Sequence, residues 1–155
     1  MPTNILRAAN RARPKGRGAL TDVGAVRHVL IKAGAIAVRA RLLDTPTAER
    51  IWQALPIRST VEIWGEEIFF DTPVESGRER AARTIVKVGE IAFAPERDVI
   101  AIAYGRTPAT RKSEARLWSP SNVWAEAIDD VRAFAAARPG ERVDVTRLEG
   151  ELASG

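Results

Sequence analysis

Short stretches with an apolar residue at every second position limit what this chain can fold into more than any other feature of its sequence. The alternation runs through Val29 and Ile31, stops at an Ala-Gly pair, and resumes at Ile36 and Val38. A period of two places these side chains on one face of a strand, and glycine between two such runs is a turn signal. The pattern therefore predicts a β-hairpin with one buried face.

Similar stretches, each bounded by turn residues, follow along the chain. Between Ile63 and Ile68 the alternation shifts by one position, and Gly65 lies between them, which indicates a bulge or a tight turn. The run VIAIAY is apolar throughout, which is typical of a strand covered on both faces. Strands are predicted over 59–72, 84–93, 99–104, 122–125 and 142–148, with a long polar loop over 105–121.

Only two segments have a helical pattern. The first covers residues 48–55, where Thr45 or Thr47 can cap the N-terminus and Pro56 ends the helix. The second covers residues 125–138, where apolar residues recur at helical spacing before a Pro-Gly pair. Because seven or eight short strands are joined mostly by hairpins, the chain is predicted to be mainly β. We expect an antiparallel barrel or sandwich whose open ends are covered by two short helices.

Length and composition narrow the class of protein. A chain of 155 residues is the usual size for one domain with one core. It has no cysteine, which excludes disulfides, thiol nucleophiles and thiolate metal sites. No apolar run approaches the roughly 20 residues that a membrane span needs, and the N-terminus lacks a secretory pattern. We therefore expect a cytoplasmic protein with no membrane association, no bound metal and no cofactor.

The net charge of +4 is concentrated at the N-terminus. Residues 1–27 contain six basic residues and one acid, whereas the rest contains 18 basic and 19 acidic residues. This distribution predicts a basic arm over 1–27, a barrel domain over 28–149 and a short tail over 150–155. The arm either contacts nucleic acid or an acidic partner, or is only a loose extension. The body has no basic stripe interleaved with aromatics, which argues against a nucleic-acid-binding domain.

Several segments resemble parts of one known fold. The segments LDTPTAE at 43–49, GEIAFA at 89–94 and NVWAEAI at 122–128 occur in the order in which similar segments occur in cyclophilins. A closer resemblance is to a group of small prokaryotic cyclophilin-like proteins of unassigned function. WGEEIFF at 64–70 and YGRTP at 104–108 carry that resemblance. It covers about residues 28–149 and implies a closed or nearly closed antiparallel cyclophilin-like β-barrel.

The resemblance also implies where prolyl isomerase residues would lie. In cyclophilins an arginine and a cluster of aromatic and glutamine side chains on the barrel face assist rotation of a bond whose barrier is about 20 kcal/mol. The corresponding strand here, 59–64, has no arginine. The next two segments read EIFF at 67–70 and AIAY at 101–104, which also depart from the family pattern. These departures predict that the chain lacks isomerase chemistry.

Polar and aromatic residues gather where the apolar strands end, and they are the candidate ligand-binding residues. The set comprises Trp64, Glu66, Glu67, Tyr104, Arg106 and Asn122. Trp118 also borders a loop, and either it or Trp64 can line a groove or simply pack against that loop. Adjacent residues of a strand point to opposite faces, so Glu66 and Glu67 are not expected to form a catalytic pair. Either both lie on a solvated strand edge, or one of them faces a pocket beside Trp64. In the second case burial would raise the pKa of that glutamate.

Two alternatives also stay open for Arg106 and Asn122. The guanidinium of Arg106 can clamp a carboxylate or phosphate, or it can pair with Glu66 or Glu67 and lock the loop. The amide of Asn122 can orient a ligand, or it can satisfy backbone groups of a loop.

Three functions are compatible with these residues. The first is binding of a small molecule or extended peptide without isomerase chemistry. The alternatives are a divergent peptidyl-prolyl isomerase, and an interaction module that forms a homo-oligomer or belongs to an enzyme as a subunit.

Overall fold

The computed structural model describes residues 26–149, which contain ten antiparallel strands, one α-helix and one 3-10 helix. The predicted tail, and all of the predicted arm except Val26 and Arg27, lie outside the described residues. The helices are α1 (Pro46–Ala54) and the 3-10 helix (Val131–Ala136). The strands are β1 (His28–Ala33), β2 (Ile36–Leu42), β3 (Ile57–Thr60), β4 (Glu62–Ile63), β5 (Glu67–Asp71), β6 (Arg83–Val86), β7 (Glu90–Ala94), β8 (Val99–Ala103), β9 (Ala115–Ala127) and β10 (Arg142–Leu148).

The strands form one sheet that curls into a nearly closed barrel. The order across the sheet is β3-β10-β1-β2-β9-β7-β8-β5-β4, and β6 pairs separately with β9. The two end strands, β3 and β4, are consecutive in the chain and are separated only by Val61. The Val61 N–H donates to the carbonyl of Glu141 at 2.8 Å, and its carbonyl accepts from the N–H of Gly140 at 2.9 Å. The predicted antiparallel barrel is confirmed, since the first and last strands meet at one segment.

The barrel interior is filled by the residues that the period-two pattern selects. Val29 and Ile31 of β1 and Val38 of β2 are fully buried in it, together with Phe93 and Trp124 from the strands opposite. The first hairpin has the predicted boundaries, and its turn contains Gly34 in the left-handed region at φ +59°. Because the interior is packed with side chains, a ligand site is expected on the outer face of the barrel.

A second, smaller apolar cluster covers the outer face of part of the barrel. Ile100 and Ile102 of β8 face the interior, whereas Ala101 and Ala103 face outward and pack against Leu117 of β9 and other residues. The prediction that this strand is covered on both faces is therefore confirmed. The covering layer is β6 together with the first half of β9, which fold across the outside of the sheet.

The last part of the segment predicted as a long polar loop is a strand, whereas residues 105–114 form the predicted loop. We predicted a loop over 105–121 and a short strand over 122–125, but β9 runs without interruption from Ala115 to Ala127. Ser119-Pro120 indicated a loop because proline cannot donate to a ladder. The prediction is wrong for residues 115–121, because β9 pairs with β6 on the N-terminal side of this proline, at Ala115↔Val86 and Arg116↔Ile85.

The second predicted helix is also mostly wrong. Over 125–138 only Val131–Ala136 are helical, and they form a 3-10 helix. The N–H of Ile128 extends the strand pairing by donating to the carbonyl of Arg39 at 2.8 Å. Asp129 then accepts hydrogen bonds at 2.8–3.0 Å from the backbone N–H and the guanidinium of Arg39. These long-range contacts hold the start of the segment in an extended conformation despite its helical spacing.

The first helix agrees with prediction within two residues at each end. Of the two threonines considered as caps, Thr45 is the N-cap, and its hydroxyl accepts from the N–H of Ala48 at 3.0 Å. Neither helix in residues 26–149 has the length and apolar character that crossing a membrane requires.

Candidate functional site

A cleft of about 140 Å³ opens on the outer face of the barrel, between β5, β8 and the first half of β9. Alternation along β5 creates one wall, since Ile68 and Phe70 face the core and the residues between and before them face outward. The other walls come from β9 and from the turns that precede β5 and β8. The lining residues are Trp64, Glu67, Phe69, Ala94, Arg97, Val99, Ala101, Leu117, Trp118, Ser119 and Ser121.

A bulge in β9 shapes one side of the cleft. Arg116 pairs with Ile85 of β6, but the next registered pair is Ser121 with Arg83. Four residues of β9, 117–120, therefore lie opposite a single residue of β6. Bulges of this kind re-aim side chains and are frequent beside functional sites. This bulge places Trp118 and Ser119 at the cleft, and Trp118 remains 56% exposed.

Two polar side chains of the cleft are buried and lack a protein partner. Glu67 is only 4% exposed, and within residues 26–149 nothing hydrogen-bonds its Oε1 atom. Ser119 is 6% exposed, and its Oγ atom likewise has no partner among these residues. Burial raises the pKa of Glu67 to about 7, and the positive charge of Arg97 offsets part of that rise. At neutral pH this carboxyl is therefore partly protonated and can donate as well as accept a hydrogen bond.

The guanidinium of Arg97 lies over two aromatic rings of the cleft. Its central carbon is 5.3 Å from the centroid of Phe69 and 5.3 Å from the centroid of Trp118. The turn that carries it is fixed by the carbonyl of Ala94, which accepts from the N–H groups of Arg97 and Asp98 at 3.2 and 2.9 Å. Arg97 is the only basic residue that lines the cleft. No carboxylate in the described part of the chain lies within 4 Å of its guanidinium.

Two of the six predicted site residues line the cleft, and two more, Glu66 and Tyr104, lie outside its lining. Trp64 and Glu67 are lining residues. Glu66 points the other way: it is exposed, and its Oε1 accepts from the backbone N–H of Arg106 at 2.8 Å. Tyr104 is half-buried against the core, and its N–H donates to the carbonyl of Glu66 at 2.8 Å. Burial, followed by the nearby Glu66 carboxylate, raises the pKa of Tyr104.

The side chain of Arg106 does not lie in the cleft. It is exposed, and its Nη1 donates to the carbonyl of Lys112 within its own loop. It makes no salt bridge with Glu66 or Glu67. Glu66 holds the start of the loop through the Arg106 backbone instead of through its guanidinium. The two glutamates and this arginine therefore do not converge on one pocket.

Asn122 is a structural residue of a neighbouring region. It is 1% exposed, and its Oδ1 accepts from the N–H of Glu79 at 2.9 Å. Its Nδ2 donates to the Thr47 hydroxyl at 3.0 Å and to the Gly77 carbonyl at 2.9 Å. The amide thus anchors the 75–79 loop beside the start of α1. Of the two roles considered for this amide, the structure places it in the second, that of satisfying loop backbone groups.

Sequence reasoning omitted Phe69, Arg97 and Ser119 from the site. The signal for Phe69 was present, because it shares the parity of Glu67 along β5. No comparable signal existed for Arg97, which lies between β7 and β8 and whose position over two rings depends on β5 and β9. Residues 26–149 contain no group of three or more His, Asp or Glu side chains that could hold a metal ion.

Comparison with known proteins agrees with the architecture. The family model described as Cyclophilin-like matches residues 27–146 of this chain. The chain belongs to the cyclophilin-like family. This cyclophilin-like domain is similar to the solution structure of the hypothetical protein AF2241 from Archaeoglobus fulgidus, with a TM-score of 0.73 and 27% identity. That match covers 83% of this chain and 100% of the archaeal one.

A more distant match is the structure of McbB in complex with tryptophan. It has a TM-score of 0.58 and 15% identity, and it covers 79% of this chain and 45% of McbB. At that identity the likeness shows the fold alone. No curated protein matches the chain.

Proposed function

We propose that this cyclophilin-like domain binds a small organic molecule in the cleft bounded by Trp64, Glu67, Arg97, Trp118 and Ser119. The observation that carries the proposal is the Glu67 carboxyl, which is almost fully buried and faces the cleft, and one of whose oxygens has no partner within residues 26–149. A buried polar group left unsatisfied costs about 1–3 kcal/mol, and more when it is charged. A bound ligand with a polar group would remove this cost, because it would complete the hydrogen bonding of Glu67.

The size and walls of the cleft support a small molecule. An apolar cavity of about 150 Å³ is enough to hold benzene, and this cleft has a volume of about 140 Å³. Phe69, Trp64 and Trp118 provide ring surfaces, while Glu67 and Ser119 provide the few polar groups that fix orientation. An extended peptide is less well supported at this position, because β5 already pairs with β4 on one edge and with β8 on the other.

The tryptophan side chains allow a direct test by NMR. The indole N–H signals of Trp64 and Trp118 should shift when small aromatic acids, amides and proline-containing peptides are titrated. Those of Trp124, which is fully buried in the core, and of Trp52 on α1 should not shift.

A cleft-filling variant supplies the control for this titration. Ser119→Leu should abolish the indole shifts, because leucine fills the cleft and removes the hydroxyl. Ser59→Leu places the same side chain on β3, which has no residue in the cleft, and should leave the shifts intact. Indole shifts that persist in Ser119→Leu would contradict the proposal. So would the absence of any indole shift in the unmodified protein with every compound titrated.

One observation favours a divergent prolyl isomerase as a second candidate. The strand 59–64 contains no arginine, but Arg97 brings a guanidinium to a cleft with aromatic walls from another part of the chain. A guanidinium that donates to a prolyl amide can ease rotation of the peptide bond. A protease-coupled assay with a proline peptide tests this candidate, and a rate equal to the uncatalysed one would exclude it.

A further inference from the structure

We infer that the ligand of this cleft is an organic monocarboxylate with one planar ring, whose carboxylate pairs with Arg97 where it lies while its ring packs between the aromatic walls of the cleft. This inference rests on the proposed function and specifies the chemical class of the ligand. It is carried by the juxtaposition, in a single cleft, of three aromatic walls with one guanidinium and two polar atoms that have no partner among the described residues.

No acid in the described residues forms a salt bridge with Arg97. Glu96, its neighbour in the chain, pairs with Arg78 at 2.9 Å. The Glu66 carboxylate accepts from the Arg106 backbone. Glu67 lies within electrostatic range of Arg97 but forms no salt bridge with it. The planar fork of Arg97 therefore remains able to bind a carboxylate through two parallel hydrogen bonds.

The aromatic rings hold this guanidinium at the mouth of the cleft. Both Phe69 and Trp118 lie 5.3 Å from its central carbon, which is within the range of a cation–π interaction. A cationic ligand would have to displace Arg97 from these ring faces and would be repelled by its charge. An anionic ligand is instead attracted by this charge and can pair with Arg97 where it lies, and this difference favours a carboxylate over an amine.

The remaining polar groups suit an uncharged end of the ligand. Glu67 and Ser119 lie in the same cleft as Arg97, and each has a buried oxygen without a protein partner in the described residues. A protonated carboxyl and a hydroxyl can each donate or accept, so they match a carbonyl, hydroxyl or amide on the ligand. With Glu67 protonated, Arg97 provides the only formal charge, which is complementary to a single negative charge.

Four probes with the same ring separate the possible ligand classes: phenylacetate, phenylacetamide, phenethylamine and phenylalanine. Each is titrated while the four indole N–H signals are recorded by NMR. Phenylacetate is expected to shift Trp64 and Trp118, with an apparent Kd at least tenfold lower than that of phenylacetamide. Trp52 serves as an internal control, because Arg27 and Arg147 lie 5.0 and 4.4 Å from its ring outside the cleft.

Substitution of the arginine tests its role directly. Arg97→Gln should remove the preference for the acid over the amide while leaving the phenylacetamide shift, and Arg97→Lys should retain part of the preference. The matched control is Arg147→Gln, which also removes an arginine stacked on a tryptophan, and it should keep the full preference. An intact NMR spectrum of each variant shows that it is folded.

The outcomes separate failure of this inference from failure of the proposed function. Equal affinity for acid and amide would overturn the carboxylate class while leaving the cleft a binding site. Tighter binding of phenethylamine than of phenylacetate would also overturn it, in favour of a cation held by Glu67. Tighter binding of phenylalanine would keep the carboxylate but overturn the uncharged end of the ligand, because it adds an ammonium. Loss of the preference in Arg147→Gln, or shifts confined to Trp52, would show that the acid binds exposed arginines without selectivity. If none of the four probes shifts Trp64 or Trp118, the inference fails. The proposed function fails with it only if the wider panel of acids, amides and peptides also produces no shift.

Discussion

The buried carboxyl of Glu67 should make this protein less stable as the pH rises from about 4.5 to about 7. Burial raises the pKa of this group from 4.5 to about 7. Between these values the folded state keeps a proton that the unfolded state has lost. The free energy of unfolding therefore falls with pH, because it follows the difference in bound protons between the two states.

The size of this effect follows from the width of the pH window. The two pKa values differ by about 2.5 units, and each unit corresponds to about 1.36 kcal/mol. Ionisation of Glu67 should therefore lower the free energy of unfolding by about 3 kcal/mol in total, and the loss should be complete above pH 7. Glu67→Gln cannot ionise, so the variant should be about 3 kcal/mol more stable than the unmodified protein at about pH 8 and similar to it at about pH 4.

Urea unfolding followed by tryptophan fluorescence over this pH range measures the effect. The informative quantity is the difference in free energy of unfolding between the unmodified protein and Glu67→Gln at each pH. Contributions from other titrating groups cancel in this difference. Glu66→Gln is the matched control: it removes the adjacent carboxyl outside the cleft and should follow the pH dependence of the unmodified protein. A difference between the unmodified protein and Glu67→Gln that does not change with pH would refute the reasoning.

Three further substitutions and one control test local contacts of the fold by urea unfolding. Gly65→Ala should lower the free energy of unfolding by at least about 2 kcal/mol. Its φ is +62°, and a Cβ atom would lie 2.8–3.0 Å from the neighbouring loop. Gly77→Ala, whose Cβ would meet nothing within 4 Å, should change it by less than about 0.5 kcal/mol. Asn122→Ala should cost about 3 kcal/mol because it leaves buried hydrogen-bonding groups without partners. Asp129→Asn should cost about 1 kcal/mol at neutral pH after screening by solvent. Hydrogen bonds from Arg39 lower the pKa of Asp129 from 3.8 to about 2, so this cost should disappear as the pH falls from 3.8 through about 2. The steric reasoning would be contradicted if Gly77→Ala lost as much free energy of unfolding as Gly65→Ala. The hydrogen-bond reasoning would be contradicted if Asn122→Ala lost none. The electrostatic reasoning would be contradicted if the loss in Asp129→Asn did not change with pH.

Features that depend on neighbours in the chain could be predicted from the sequence. The alternation through Val29 and Ile31 determines which side of β1 is buried, and the shift of parity at Gly65 predicts the tight turn before β5. The same rule places Glu66 and Glu67 on opposite sides, as the structure shows. Such predictions succeed because side-chain direction in a strand repeats every two residues whatever the strand packs against.

Features that depend on distant segments were decided only by the tertiary structure. Residues 125–127 have the apolar spacing of a helix but complete β9, because pairing with β2 and β7 satisfies their backbone groups. The sequence around Asn122 does not indicate whether its amide faces a ligand or a loop. The 75–79 segment, which packs against it in the folded protein, determines this. The cleft forms only because Glu67 and Arg97, which are 30 positions apart in the sequence, both lie beside the bulge of β9. The sequence alone thus determined a mainly β barrel and the face that each strand buries, whereas only packing between distant strands determined which polar groups lie together in a cleft.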